Sequence, residues 1–179
     1  MDNNDEKGLI QAVINGERQA FEALVNEYQK PIFNVVYRML HDAEEARDVT
    51  QTVFLKTFEN LHRYQPERKF FSWICRIAVN EAINRQASHK PESELDDNQA
   101  ATGSNPGDEA QHAELQQGLE SAMMRLGTDY RSVVILKHIV GMSYHEIADS
   151  LEVSEKTVKS RLFSARQKMR EQLRKDEYL

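Results

Sequence analysis

The sequence contains one cysteine, Cys75, among 179 residues. A lone thiol excludes a disulfide framework and a zinc site built from several cysteines, and it fits a reducing compartment. Glycine and proline are also scarce, at seven and four residues, about half of average usage. So little turn chemistry argues against a many-stranded sandwich or barrel and for helices joined by short loops. Long apolar runs are missing: stretches such as Val133–Leu136 fall far short of the roughly twenty residues a membrane span needs. The opening MDNNDEKG is acidic and polar and does not read as a secretory signal. A soluble, cytoplasmic, all-α protein is expected. An excess of positive charge is absent as well: 23 Lys and Arg face 29 Asp and Glu, for a net charge of −6. Taken whole, that balance argues against a nucleic-acid partner.

The balance changes when the charge is placed along the chain. Residues 61–90 hold six basic and two acidic residues, and residues 155–175 hold eight and two. Residues 91–114 hold seven acidic residues and no basic one. The acidic total therefore conceals two basic islands. A charge run is ordinarily a solvated face; two islands, each in a helix with its own motif, point further.

Residues 88–113 read SHKPESELDDNQAATGSNPGDEAQHA, with no aromatic, one Leu, two prolines and two glycines. Such a segment cannot bury enough apolar surface to offset its ordering entropy. A flexible acidic linker over 91–112 is expected, between helical domains at 1–90 and 113–179.

In the first half, apolar residues recur at helical spacing: Leu9 and Val13; Phe21, Leu24, Val25 and Tyr28; Ile32, Val36, Met39 and Leu40. Gly16 is placed to end the first helix, and Pro31 marks a break or the first turn of a new one. Further amphipathic patterns run through Val49, Val53, Phe54, Thr57, Phe58 and Leu61, and from Phe71 through Trp73, Ile74, Ile77, Ala78 and Ile83. Four or five helices in a compact bundle are predicted.

Around the last of these helices, Arg63, Arg68, Lys69, Arg76 and Arg85 interleave with Tyr64, Phe70, Phe71 and Trp73. Cations neutralise phosphates, and aromatic faces accept unstacked bases. Asn80 and Asn84, four residues apart, share a helical face from which amides could bond base edges. The same composition is met by aromatics in the core and solvated asparagines. On the preceding helix, Asp48, Gln51 and Leu55 form a stripe that suits docking on another protein and serves equally as an ordinary solvated face.

The second half is more explicit. Gly141 stops a helix, and Ser143 and Glu146 have the spacing of a capping box. After Glu152-Val153, Ser154 caps a helix whose Val158, Leu162, Ala165, Met169 and Leu173 share one face. Two helices joined by about three residues, with small Ala148 at their crossing, form a helix-turn-helix. The exposed face of the second offers Lys156, Thr157, Lys159, Ser160, Arg161 and Arg166 to the major groove and its phosphates. Leu119, Met123, Leu126 and Val133–Val140 supply bracing helices, with Asp129 placed to cap the second.

With these residues in view, the chain resembles the bacterial sigma factors of the extracytoplasmic-function type, in the sigma-70 family. The first half resembles the family's second conserved region through Ala20-Phe21, Leu24, Tyr28-Gln29, Asp48-x-x-Gln51-x-x-Phe54-Leu55 and Phe70-x-x-Trp73-Ile74-x-x-Ile77-Ala78-x-Asn80. The second half resembles the fourth region through Gly141-x-Ser143-x-x-Glu146-Ile147-Ala148, Thr157-Val158-Lys159-Ser160-Arg161-Leu162 and Ala165-Arg166. The second set is shared with response-regulator domains; both sets in this order are specific to the family.

The resemblance implies that Asp48, Gln51, Phe54 and Leu55 dock on the β′ clamp helices of core RNA polymerase. It implies that Tyr64, Arg68, Lys69, Trp73, Arg76, Asn80, Asn84 and Arg85 read the minus-10 element, where a flipped base promotes melting. Lys156, Thr157, Lys159, Ser160, Arg161 and Arg166 would then read the minus-35 element. The bracing helices would meet the β flap, the linker would thread the polymerase channels, and an anti-sigma factor would hold the protein inactive. Gly127, Ser164 and Asn84 depart from the family's usual Pro, Arg and Asp, and the basic run after Arg85 is thin.

The competing reading is a stand-alone helix-turn-helix regulator with an N-terminal receiver or dimerisation bundle. It explains neither the Asp48–Leu55 stripe nor the aromatic-basic loop. An enzyme finds little support, because the six histidines are scattered and no nucleophile or metal-ligand spacing occurs. No catalytic residue, metal, cofactor, small-molecule substrate or membrane insertion is expected.

Overall fold

The computed structural model describes residues 3–88, 108–176 and 178, and among them every regular element is helical. Helix α1 (Asn3–Ile14) is followed by Gly16 at φ +96°, a left-handed turn that glycine adopts at little cost. Helix α2 (Arg18–Leu40) ends at left-handed His41. Helix α3 (Ala43–Asn60) is capped by Asp42, whose carboxylate accepts from the Glu44 and Glu45 amides at 2.8 and 2.9 Å. A tight turn at Leu61–Arg63 leads through a loop to α4 (Phe70–Ser88).

Pro31 departs from expectation: it lies inside α2 and neither breaks nor restarts it. Proline removes one backbone donor and clashes with the turn before it. Buried Leu24 on one side and Ile32, Val35, Val36 and Met39 on the other hold the helix through that defect. These downstream residues pack with Val49, Val53 and Phe54 of α3 and Ile74, Ala78 and Val79 of α4. Each such side chain, fully buried, contributes about 1.5–3 kcal/mol. Helix α1 closes a smaller cluster, Ile10 and Val13 against Ala20, Leu24, Leu61, Tyr64 and Phe70.

The second unit comprises α5 (Asp108–Met124), α6 (Thr128–Val134), α7 (Tyr144–Leu151) and α8 (Glu155–Lys175). Most of the segment expected as a linker lies outside the described residues. Its last five residues, 108–112, belong instead to α5, which carries the helix upstream of the first bracing apolar position. The N-cap of α6 is Gly127, with Asp129 inside the first turn. Asp129 is therefore free to face another partner. A wide turn, Ile135–Ile139, prolongs α6 before Gly141 at φ +83° reverses the chain.

The helix-turn-helix forms as expected. Ser143 Oγ accepts from the Glu146 amide at 3.2 Å, and the Glu146 carboxylate accepts from the Ser143 amide at 2.8 Å. The connecting Glu152 sits at φ 54°, a left-handed conformation that costs a non-glycine residue roughly 1–2 kcal/mol. Ile147, Ala148, Val158, Leu162 and Ala165 seal the two helices together.

The box yields a first prediction. Ser143→Ala lowers stability by about 1 kcal/mol, read as a lower thermal midpoint. The backbone bond at Ser143 is the first cause holding the Glu146 carboxyl below its ordinary range. Folding therefore gains from this group above the unfolded carboxylate pKa and loses that gain as pH falls through the depressed value. Glu146→Gln should flatten the acid limb of the stability curve, whereas Ser143→Ala, which keeps the backbone N–H, should leave most of it; an unchanged limb in Glu146→Gln would assign it to other carboxylates.

The two units touch. Met39 O, near the end of α2, accepts from the Arg131 guanidinium of α6 and from Gln86 Nε2 of α4 at 2.8 Å. Thr128 Oγ1 lies 2.7 Å from Gln86 Oε1 and extends the network. Asn80 Nδ2 donates to Ser150 O of α7 at 3.2 Å. The apolar core is continuous across this contact.

Candidate nucleic-acid interface

The loop before α4 is built on an aromatic cluster. Tyr64 is 8% and Phe70 1% exposed, their rings edge to face at 5.4 Å. Trp73 lies at 5.6 Å from Tyr64 and 5.7 Å from Phe70, and Tyr28 adds a further edge contact to Phe70. The Tyr64 hydroxyl donates to Arg68 O across the loop. Burial, with Glu6 and Glu67 nearby, pushes the Tyr64 pKa up to about 12. Tyr64 and Phe70 thus support the loop from inside and present no face to a base. The half-buried rings of Trp73 and Phe71 remain at its surface. The reason is geometric: α4 starts at Phe70, which must fill the space beneath α2.

The cations lie on the rim. Arg63, Arg68 and Lys69 are exposed and Arg76 is half-buried. Along α4, Asn80 is drawn to Ser150 whereas Asn84 faces solvent. Arg85 pairs with Glu45 through Nε and Nη2, the latter at 2.9 Å, and reaches Asp48 at 3.9 Å. The Glu45 hydrogen bond is the first cause raising the Arg85 pKa. Arg85 therefore ties α4 to α3, and a phosphate would have to compete with two carboxylates.

On α3, Asp48 and Gln51 are exposed and Leu55 is 66% exposed. Phe54, 8% exposed, faces the core with Val53 and is not available to a partner. Phe58 takes its place at the surface: it is 51% exposed, its ring 5.0 Å from Phe21. The apolar period alone had assigned Phe58 to the core. Its spacing of i, i+4 and i+7 from Gln51 through Leu55 was the signal that extends the stripe.

On α8, Lys156, Lys159, Ser160 and Arg166 are exposed. Thr157 helps to cap the helix, its amide donating to Ser154 Oγ at 3.1 Å. Arg161 binds the Asp129 carboxylate at 2.7 Å, and Lys159 lies 3.6 Å from Glu155. Arg166 Nη2 lies 3.3 Å from His138 Nε2. Burial first, then Arg166 and Lys137, hold the His138 pKa below its ordinary value, so the neutral ring can accept. Three of the basic residues are thus pre-positioned by local partners.

Among the described residues no helix is long and apolar enough to cross a membrane, and no three His, Cys, Asp or Glu side chains gather to hold a metal.

Residues 24–91 match the family described as Sigma-70 region 2, and residues 116–169 match Sigma-70, region 4. The chain is 33% identical to the ECF RNA polymerase sigma factor SigW of Bacillus subtilis, over 94% of this chain and 96% of SigW. Among solved structures, CnrH in complex with the cytosolic domain of CnrY is similar at a TM-score of 0.69 and 25% identity. That match covers 96% of this chain and 99% of CnrH. The sigma factor RpoE of Bartonella quintana, solved with the anti-sigma factor NepR, shares the fold at a TM-score of 0.65 and 20% identity. It covers 86% of this chain and 96% of that one.

Proposed function

The chain belongs to the extracytoplasmic-function sigma factors of the sigma-70 family, and from that premise we propose which residues carry each step. The protein is a transcription initiation subunit: it binds core RNA polymerase and directs it to promoters. The observation that carries the assignment is the exposed α3 stripe of Asp48, Gln51, Leu55 and Phe58, set apart from two basic surfaces. An operator-binding regulator has no use for such a stripe beside a cationic loop.

The stripe takes the β′ clamp. Arg68, Lys69 and Arg76 hold the minus-10 backbone, with Trp73, Asn80 and Asn84 at the bases. Tyr64 positions the loop from beneath, and Arg85 braces α4 on α3. Lys156, Lys159, Ser160 and Arg166 meet the minus-35 duplex, while Thr157 and Arg161 hold the start of α8 in register. Residues 1–90 thus serve polymerase and the minus-10 element, and residues 113–179 the minus-35 element. Polymerase fixes the two units relative to each other, which makes the second DNA contact intramolecular. An anti-sigma protein is the expected inhibitor, and the cytoplasm the expected place of action.

Run-off transcription with purified core polymerase on a promoter library tests this. Promoter-specific transcripts that require the protein are expected. Tight operator binding without polymerase, with core left inactive, would establish the regulator instead.

A further inference from the structure

The cations of α8 are held by partners of two kinds. Arg161 binds the Asp129 carboxylate at 2.7 Å, and Lys159 lies 3.6 Å from the Glu155 carboxylate. A carboxylate that orients a cation also offsets its charge toward a phosphate. Arg166 is held differently. Its Nη2 meets Nε2 of His138, in the wide turn after α6, at 3.3 Å. A guanidinium has donors and no acceptor, so the ring nitrogen it meets is the unprotonated one. The ring proton then sits on Nδ1, and the ring is neutral. Partial burial, Arg166 and Lys137 all favour that neutral form. Arg166 is thus oriented while its full charge stays available.

Position along the helix decides what that charge meets. Lys156 and Arg166 are ten residues apart on α8, about 15 Å of helix rise. The major groove is about 12 Å wide. When the start of α8 enters the groove, Arg166 reaches its edge, where phosphates lie and base edges do not. Arg166 and His138 are both exposed.

We infer that His138 is a positioning residue for promoter binding: its bare Nε2 orients Arg166 toward a phosphate flanking the minus-35 groove without neutralising it. This rests on the assignment of α8 to the minus-35 duplex. An arginine side chain that is free before binding loses rotamer entropy when a phosphate fixes it. His138 removes part of that loss in advance, so its contribution passes wholly through Arg166.

The test uses holoenzyme assembled from the full chain, on a promoter with the minus-35 element and on one with that element scrambled. His138→Phe keeps a ring without an acceptor, and His138→Gln keeps an acceptor; both are expected to retain the native melting midpoint. His138→Phe should weaken binding to the intact promoter about two- to tenfold, while His138→Gln stays close to native. With Arg166→Ala already present, His138→Phe should cost nothing further. Arg166→Ala itself should lower the salt dependence of binding by about one unit of slope. In the free chain, nitrogen NMR should find the His138 proton on Nδ1, and on Nε2 once Arg166 is replaced. Native affinity in His138→Phe, an equal loss in His138→Gln, or a loss that persists without Arg166 would overturn the positioning. So would an unchanged salt slope in Arg166→Ala, or a proton on Nε2 in the native chain. Native holoenzyme that binds both promoters equally would instead remove the minus-35 assignment itself, and the role of His138 with it.

Discussion

Arg131→Leu is expected to destabilise the protein by about 2–6 kcal/mol, the cost of leaving two carbonyls without a donor at about 1–3 kcal/mol each. Arg131 is 7% exposed, and its guanidinium donates to four backbone carbonyls. Nε reaches Met123 O at 3.2 Å, Nη2 reaches Leu126 O at 2.9 Å and also Met124 O, and Nη1 reaches Met39 O. Two helices end at these oxygens, α5 at Met124 and α2 at Leu40. The last carbonyls of a helix have no partner within it and carry the negative end of its dipole. One planar cation with five donors answers both ends at once. Leucine fills part of the volume and leaves Met124 O and Leu126 O without a donor, while Met39 O keeps Gln86 and Met123 O keeps the Leu126 amide. Arg131→Lys should rescue little, because an ammonium cannot reproduce the fork. Urea denaturation at fixed pH measures the loss. A loss below about 1 kcal/mol, the net worth of one ordinary hydrogen bond, would mean that water reaches the carbonyls.

Leu55→Arg is expected to weaken binding to core polymerase at least thirtyfold, on the order of the 2 kcal/mol that defines a hot spot, and to leave thermal stability unchanged. Leu55 is 66% exposed beside exposed Phe58, so its removal costs the folded chain almost no buried area. Phe54→Ala provides the contrast. Its buried ring makes it a core substitution, costing about 3–5 kcal/mol, with any loss of polymerase binding following from unfolding. Competition of each variant against labelled native protein for core, paired with a melting curve, separates the two effects. Undiminished core affinity in Leu55→Arg would move the docking site off this face.

The elements that sequence makes legible are those whose chemistry is local. Ser143 with Glu146, and Ser154, define helix starts through side chains three residues from their partners. The helical period likewise exposes the cores of α2 and α8. In α4 it finds Ile74 and Ala78, while Cys75, Val79 and Ala82 complete the buried face and Phe71, Trp73, Ile77 and Ile83 stay half-buried. Where a local rule meets packing, it fails: Pro31 reads as a break and is overridden by apolar residues on both sides. Aromatics among cations are legible as a group, but composition does not say which ring points inward, so Tyr64 and Phe70 prove interior. The contact between the units leaves no trace in sequence at all. Two of its acceptors are the main-chain oxygens of Met39 and Ser150, and any residue supplies a carbonyl.

Pro31 also marks a seam in cooperativity. Upstream of it, Ala20 and Leu24 share a cluster with Ile10, Val13, Leu61, Tyr64 and Phe70; downstream, Ile32, Val35, Val36 and Met39 belong to the main core. A helix missing one donor between two clusters, bridged by the half-buried Phe21, Tyr28 and Trp73, is a natural boundary between units that open at different free energies. Helix α1, the first turns of α2 and the loop carrying Arg68 and Lys69 form the smaller unit, joined also by the bond from the Tyr28 hydroxyl to Glu6. Local melting of that unit frees the loop while the body of α3 stays folded, with Phe58 losing its contact to Phe21. The stiffness of the loop carrying Arg68 and Lys69 is thereby set by a small foldon built on α1, independently of the stability of the whole.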